Sequence, residues 1–227
     1  MIKQTYNFQF PKNSTHLIVG PSGSGKTSRI VEMLRHKNEI FEDGKQINNV
    51  IFCYSVWQPL YDFLDKENII TKWHHGLPNN EEFKELVDSF KDFGGSICIM
   101  DDFLTQINKD LVEIVCVTSR HMNTSTFILS QSLFSKNPFL RQISVNVKFL
   151  HLLKNPREVS QFQYLARQIS PVNNKWIIEA YQEATRKPYS CFLIDLCQTT
   201  NDSFRFRSNY LPSQFPMKIW MNKNTIV

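Results

Sequence analysis

Apolar residues fall along this chain with two alternating periods, short continuous runs and helical spacings. The continuous runs read as buried strands at residues 16–19 (HLIV), 49–55 (NVIFCYS), 96–100 (SICIM), 125–130 (STFILS), 145–153 (VNVKFLHLL) and 189–196 (YSCFLIDL). Between the first two, apolar positions 30, 31, 33 and 34 predict a helix reaching about Lys37. A second helix starts at Asn80 as cap, with Glu81 and Glu82 in the first turn where the helix dipole favours anions, and Gly94 and Gly95 stop it after Phe93. Residues 108–118, Pro156 to about Gln168, and Asn174 to about Arg186 supply three more helices, and residues 60–65 a helical turn after Pro59. Weaker strand patterns occupy residues 5–10, closed by Pro11, then 69–74 and 203–209. Strands alternating with helices predict an α/β fold, a mainly parallel sheet with helices on both faces, whose ligand site lies at the carboxyl ends of the strands. No internal repeat or low-complexity tract interrupts this order.

Composition narrows the picture modestly. A chain of 227 residues suffices for one α/β domain with a full core, expected over residues 1–210, with 211–227 as a C-terminal extension. The 26 basic and 21 acidic residues give a net charge of +5, which permits a polyanionic partner without demanding one. None of the five cysteines (53, 98, 116, 191, 197) stands at CxxC spacing, and Cys53 and Cys98 sit inside strand patterns as small hydrophobes. The pair His74-His75 has no cysteine or carboxylate at zinc spacing. The first sixteen residues lack an apolar signal core, and no run approaches a membrane span, so a soluble, unsecreted protein without membrane contact is expected.

The chemistry concentrates after the first strand. Residues 20–27 read GPSGSGKT and match GxxxxGK[ST] between a strand and a helix, the context that this motif requires. Gly20, Pro21, Ser22, Gly23, Ser24, Gly25, Lys26, Thr27 and Ser28 are therefore expected to hold nucleotide phosphates, backbone N–H groups curling round the anion at a helix N-terminus. Lys26 supplies charge and Thr27 a hydroxyl for Mg²⁺. A chance match in a chain of this length arises roughly once in a hundred sequences. Residues 97–102 (ICIMDD) are an apolar strand ending in two carboxylates. Asp101 is placed to ligate Mg²⁺ and Asp102 to polarise the attacking water, which makes the strand a Walker B candidate. The fourth strand ends in Ser130-Gln131-Ser132, and Gln131 is a candidate sensor of the γ phosphate. Hydrolysis also needs a cation at the transition state. Arg120, Arg141, Arg157 and Arg167 are the candidates, with Arg141 first and Arg157 second; each could act across a subunit interface or serve only the surface.

Taken together, GPSGSGKT, VIFCYSVWQPLYD (50–62), HHGLP (74–78), ICIMDD, TSRHMN (118–123), ILSQSLF (128–134) and LLKNPREVSQ (152–161) resemble the genome-packaging ATPases of Polinton/Maverick transposons and virophages. These are relatives of poxvirus-type packaging ATPases in the FtsK–HerA superfamily, and the resemblance spans residues 14–200. It implies a P-loop NTPase of RecA/FtsK–HerA type that uses ATP and Mg²⁺ to pump double-stranded DNA into a preformed capsid. It also implies a homo-oligomeric ring at a capsid vertex, working in the host cytoplasm or a viral factory. Family roles fall on Lys26 and Thr27 for nucleotide and Mg²⁺, Asp101 for Mg²⁺ and Gln131 for sensing. The superfamily usually carries Glu where this chain has Asp102, and one methylene less shortens the reach to water. Arg120 to Asn123, with Lys136, is a candidate source of non-specific contacts to DNA phosphates or else an ordinary solvated loop. Two other classes share the phosphate loop. A small-molecule or nucleotide kinase would carry an arginine-dense lid, which is not evident, and a non-hydrolysing scaffold would use ATP only to switch assembly.

Overall fold

The computed structural model describes residues 8–103, 106–134 and 137–222. The described residues form nine strands, β1 (Thr15–Val19), β2 (Asn49–Tyr54), β3 (Lys72–His75), β4 (Ser96–Asp101), β5 (Thr124–Ser130), β6 (Phe149–Leu153), β7 (Cys191–Asp195), β8 (Phe206–Ser208) and β9 (Lys218–Trp220). They form one sheet in the order β3-β2-β4-β5-β1-β6-β7-β8-β9. Pairings from β3 across to β6 are all parallel, and those from β6 to β9 antiparallel. The helices are α1 (Lys26–Arg35), α2 (Lys37–Ile40), α3 (Pro59–Lys66), α4 (Asn80–Val87), α5 (Lys109–Glu113), α6 (Ser119–His121), α7 (Pro138–Asn146), α8 (Val159–Ile169) and α9 (Lys175–Ala184). A π-helical stretch, Ile114–Thr118, joins α5 to α6.

Both faces of the sheet are covered, which explains why its central strands read as unbroken apolar runs. On one face Ile18, Phe52, Ile99 and Phe127 pack with Ile30, Val31, Met33 and Leu34 of α1 and with Tyr61 and Leu64 of α3. On the other, Leu17, Val19, Cys53, Cys98 and Ile128 pack with Phe83 of α4, Leu111 of α5, Ile143 of α7, Phe162 of α8 and Ile177 of α9. All five cysteines are free.

Several elements depart from their expected bounds for local reasons. The run 145–153 opens inside α7, because Asn137 caps Phe139 N–H and Pro138 occupies the first turn while Leu140 and Ile143 carry the helical spacing. Asn79, not Asn80, caps α4 in a full capping box with Glu82, and Asn80 instead accepts from Thr118 Oγ1 at 2.8 Å. Helix α8 starts at Val159, since Pro156 and Arg157 form a turn first. Of the leading strand, residues 5–7 lie outside the described residues, and Phe10 makes a single parallel bridge to Phe41. The segment expected as an extension lies on the body over its described part: Leu211 is fully buried and β9 adds a strand to the sheet. Among the described residues, no helix is long and apolar enough to cross a membrane.

Candidate functional site

The glycine-rich loop leaves the carboxyl end of β1 at the middle of the sheet. Gly20 N–H donates to Ser130 O at 3.1 Å, tying the loop to the tip of β5. Gly25 is the N-cap of α1 at φ 94°, a left-handed conformation open to glycine, and it carries the backbone into the helix without a Cβ. No acid stands in the first turn of α1, so nothing in the helix itself offsets the positive end of its dipole and its free N–H groups. Lys26 Nζ donates to Gly20 O at 2.7 Å and to Pro21 O at 3.1 Å, closing the loop on itself. Burial lowers the Lys26 ammonium below its usual range, against the opposing pull of Asp101 and Asp102.

The end of strand β4 delivers two acids, Asp101 and Asp102, to the cavity beside that loop. One strand, β5, separates β4 from β1, so Asp101 faces the loop across the tip of β5. Thr27 Oγ1 and Tyr61 Oη both donate to Asp101 Oδ2, at 3.0 and 2.9 Å. Burial pushes the Asp101 carboxyl up, while the two hydrogen bonds and Lys26 pull it down. The Tyr61 phenol is raised by burial and then by the neighbouring carboxylate, so it stays a donor. Asp102 is exposed, at φ 64°, and accepts from Gln131 Nε2 at 3.2 Å. A cavity of about 420 Å³ lies between, lined by Ser22, Gly23, Gly25, Lys26, Thr27, Ser28, Asp101, Asp102 and Gln131, together with Gln58, Leu60, Leu129 and Tyr189.

Of the sequence-predicted residues, Ser22, Gly23, Gly25, Lys26, Thr27, Ser28, Asp101, Asp102 and Gln131 line this cavity, whereas Gly20, Pro21 and Ser24 belong to the loop without lining it and the arginines stand apart. None of Arg120, Arg141, Arg157 and Arg167 lines the cavity. Arg141 is exposed on α7 and Arg167 exposed near the end of α8. Arg120 turns back onto Cys116 O of its own helix. Arg157 is exposed in the turn after β6, beside the carboxyl end of a strand that pairs with β1. The segment 120–123 lies at the amino ends of β4 and β5, away from the cavity at their carboxyl ends, and Asn123 O accepts from Ser96 N–H at 3.0 Å at the start of β4. Lys136 lies outside the described residues.

Sequence reasoning missed Tyr61, Tyr189 and the support behind Gln131. Ser130 Oγ donates to Ser132 O at 2.7 Å, and Ser132 Oγ donates to Glu158 at 2.8 Å, so α8 braces the tip of β5. Also unforeseen is a buried polar chain beneath the loop. Ser14 Oγ meets His16 Nε2 at 2.7 Å, His16 Nδ1 meets His151 Nε2 at 3.0 Å, and His151 Nδ1 meets Tyr210 Oη at 2.7 Å. The His16 ring lies between Phe127 and Phe149. Burial drives both imidazoles well below the usual histidine range, so both are neutral.

No protein-family model matches this chain, and no curated protein matches it either. Solved structures do. The genome packaging NTPase B204 from Sulfolobus turreted icosahedral virus 2, in complex with sulfate, aligns with a TM-score of 0.54 at 16% identity, over 92% of this chain and 96% of that one. Its complex with ATP-gammaS gives 0.51 at 14% identity over 92% and 96%. B204, the DNA-packaging ATPase from Sulfolobus Turreted Icosahedral Virus, gives 0.53 at 15% identity over 92% and 97%. The fold is that of the P-loop NTPases. Identities this low speak for the fold and leave the chemistry to the site itself.

Proposed function

We propose that this chain is an ATP-driven double-stranded DNA translocase that packages a genome into a preformed capsid. The observation that carries this reading is the Thr27–Asp101 hydrogen bond at 3.0 Å, which joins residues 74 apart at the mouth of the glycine-rich loop. The end-to-end likeness to B204, called a genome packaging NTPase, supports the packaging role. The motif-level resemblance supports a Polinton or virophage setting within the FtsK–HerA superfamily.

On this reading the loop N–H groups from Gly23 to Thr27 cradle the β and γ phosphates of ATP. Lys26 exchanges its carbonyl acceptors on Gly20 and Pro21 for phosphate oxygens. Among the described residues no group of three or more His, Cys, Asp or Glu could hold a metal alone. One hydroxyl and one carboxylate suit Mg²⁺, which is commonly held by one or two carboxylates and substrate phosphates. Thr27 and Asp101 would hold it there, where it offsets phosphate charge. Asp102 and Gln131, already hydrogen-bonded, orient the attacking water. The transition-state cation comes from a neighbouring subunit of a homo-oligomeric ring, with Arg141 the first candidate. DNA is gripped through its phosphates without sequence reading, at a capsid vertex in the host cytoplasm or viral factory.

The test is ATP turnover with and without duplex DNA at low salt, alongside particle size. DNA stimulation and a ring-sized assembly are expected. Turnover indifferent to DNA in a chain that stays monomeric would overturn the motor, and phosphoryl transfer to a nucleoside without DNA would replace it with a kinase. Mixing Arg141→Ala with Lys26→Ala subunits should restore activity if that finger acts in trans.

A further inference from the structure

Tyr189 is a large aromatic left 68% exposed beside the phosphate loop, and it lines the same cavity as Lys26, Thr27 and Ser28. Its ring rests on Gly25: a Cβ there would lie 3.1 Å from Tyr189 Cδ1. The backbone that presents it is unusual. Ser190 N–H donates to Lys187 O at 3.3 Å and Ser190 Oγ to the same oxygen at 2.6 Å, closing a turn with Pro188 second and Tyr189 third. Tyr189 stands at φ 62°, a position that such turns commonly give to glycine or asparagine.

A tyrosine stays in that conformation because α1 holds it. Arg29, 4% exposed, donates from one terminal nitrogen to Tyr189 O at 2.8 Å and from the other to Gln214 Oε1 at 3.3 Å. Its guanidinium lies 5.5 Å from the centre of the Tyr210 ring. The loop helix thus carries a buried arginine whose geometry fixes the turn, and the turn places a flat apolar face next to the phosphate cradle. Trp57, in the connection from β2 to α3, is another exposed aromatic. It does not line the cavity; its ring packs against Tyr54, Tyr61 and Trp73 and its N–H is bound to Asp62.

We infer that Tyr189 is the base-stacking wall of the site, the surface on which the heterocycle of a nucleoside triphosphate lies while its phosphates occupy the loop. This rests on the nucleotide reading of the cavity proposed above. Stacking needs only a π face, so Tyr189 adds affinity for the base and none for the phosphates.

Calorimetric titration with ATP and with tripolyphosphate, in the same magnesium buffer, separates the two. Tyr189→Gly and Tyr189→Asn both accept the left-handed backbone, so each removes the ring while keeping the turn, and Tyr189→Phe keeps the ring. Expected are roughly tenfold weaker ATP binding in the Gly and Asn variants, unchanged tripolyphosphate binding, and wild-type behaviour for Phe. Unchanged ATP affinity in the Gly and Asn variants would overturn the inference. So would equal losses for ATP and tripolyphosphate, which would mean that Tyr189 only shapes the loop through Gly25. A wild type that binds neither ligand would instead overturn the nucleotide reading, and this inference with it.

Discussion

The two acids that end β4 are adjacent in sequence and differ in almost everything else. Asp101 is 4% exposed and takes two hydroxyl donors on one oxygen, from Thr27 and Tyr61. Asp102 lies in solvent, leaves the strand at φ 64°, and meets the single amide of Gln131. Strand geometry begins the divergence, since successive side chains point to opposite faces. The left-handed turn at Asp102 completes it. A buried carboxylate with fixed donors keeps one geometry, which suits a metal ligand. An exposed one with a partner of equal freedom can follow a water through a reaction. The backbone also suits the short acid at this position: at positive φ, aspartate and asparagine are tolerated better than longer side chains.

The largest expected effect breaks this comparison directly. Asp101→Asn should lower ATP turnover about 100-fold or more and abolish its response to Mg²⁺, whereas Asp102→Asn should lower turnover and leave the Mg²⁺ dependence intact. Equal effects of the two variants on a magnesium titration would collapse the distinction.

Next in size is the acid response of the other buried polar cluster, His16 and His151. Their folded-state pKa values lie below the unfolded value of 6.5, so the unfolded chain binds more protons in acid. Stability from this source is fully present above 6.5 and is lost as pH falls below it, by roughly 1 kcal/mol per histidine per pH unit. Urea melts at pH 7.5 and 5.5 should show the loss, and His16→Phe should roughly halve it; a wild-type profile that matches the variant would rule it out.

Smaller changes sharpen the picture of each acid. Asp102→Glu should destabilise the fold by about 1–2 kcal/mol, because the longer side chain sits at positive φ, while Asp102→Asn stays within about 0.5 kcal/mol in the same melts. Tyr61→Phe should cost about 1 kcal/mol and raise the Mg²⁺ concentration needed for half-maximal turnover. An unmoved magnesium requirement would reduce Tyr61 to packing.

Much of the centre of this molecule was legible beforehand. The run HLIV, the octapeptide after it and ICIMDD carry their signals locally, in apolar continuity and in glycine, lysine and carboxylate spacing, and each stands where it was expected. Residues 145–146 misled because an apolar run cannot tell a helix end from a strand, and Asn137-Pro138 decided the matter. Tyr61 was hidden inside an aromatic stretch that reads as core, and its ring packs against the buried Phe52 and the half-buried Tyr54 and Trp73. The histidine pair was equally silent, since residues 16 and 151 meet only because β1 and β6 are neighbours.

By itself, the sequence determined a strand, a phosphate loop and a helix in immediate succession, and a second strand ending in acids. Motif spacing and hydrophobic period are properties of neighbours along the chain. Only the tertiary structure decided that β5 lies between β4 and β1, that Asp101 is buried against Thr27 and Tyr61, and that Tyr189 stands over Gly25. Those contacts join residues 40 to more than 100 positions apart, and they follow from strand order and helix packing, which local patterns do not encode.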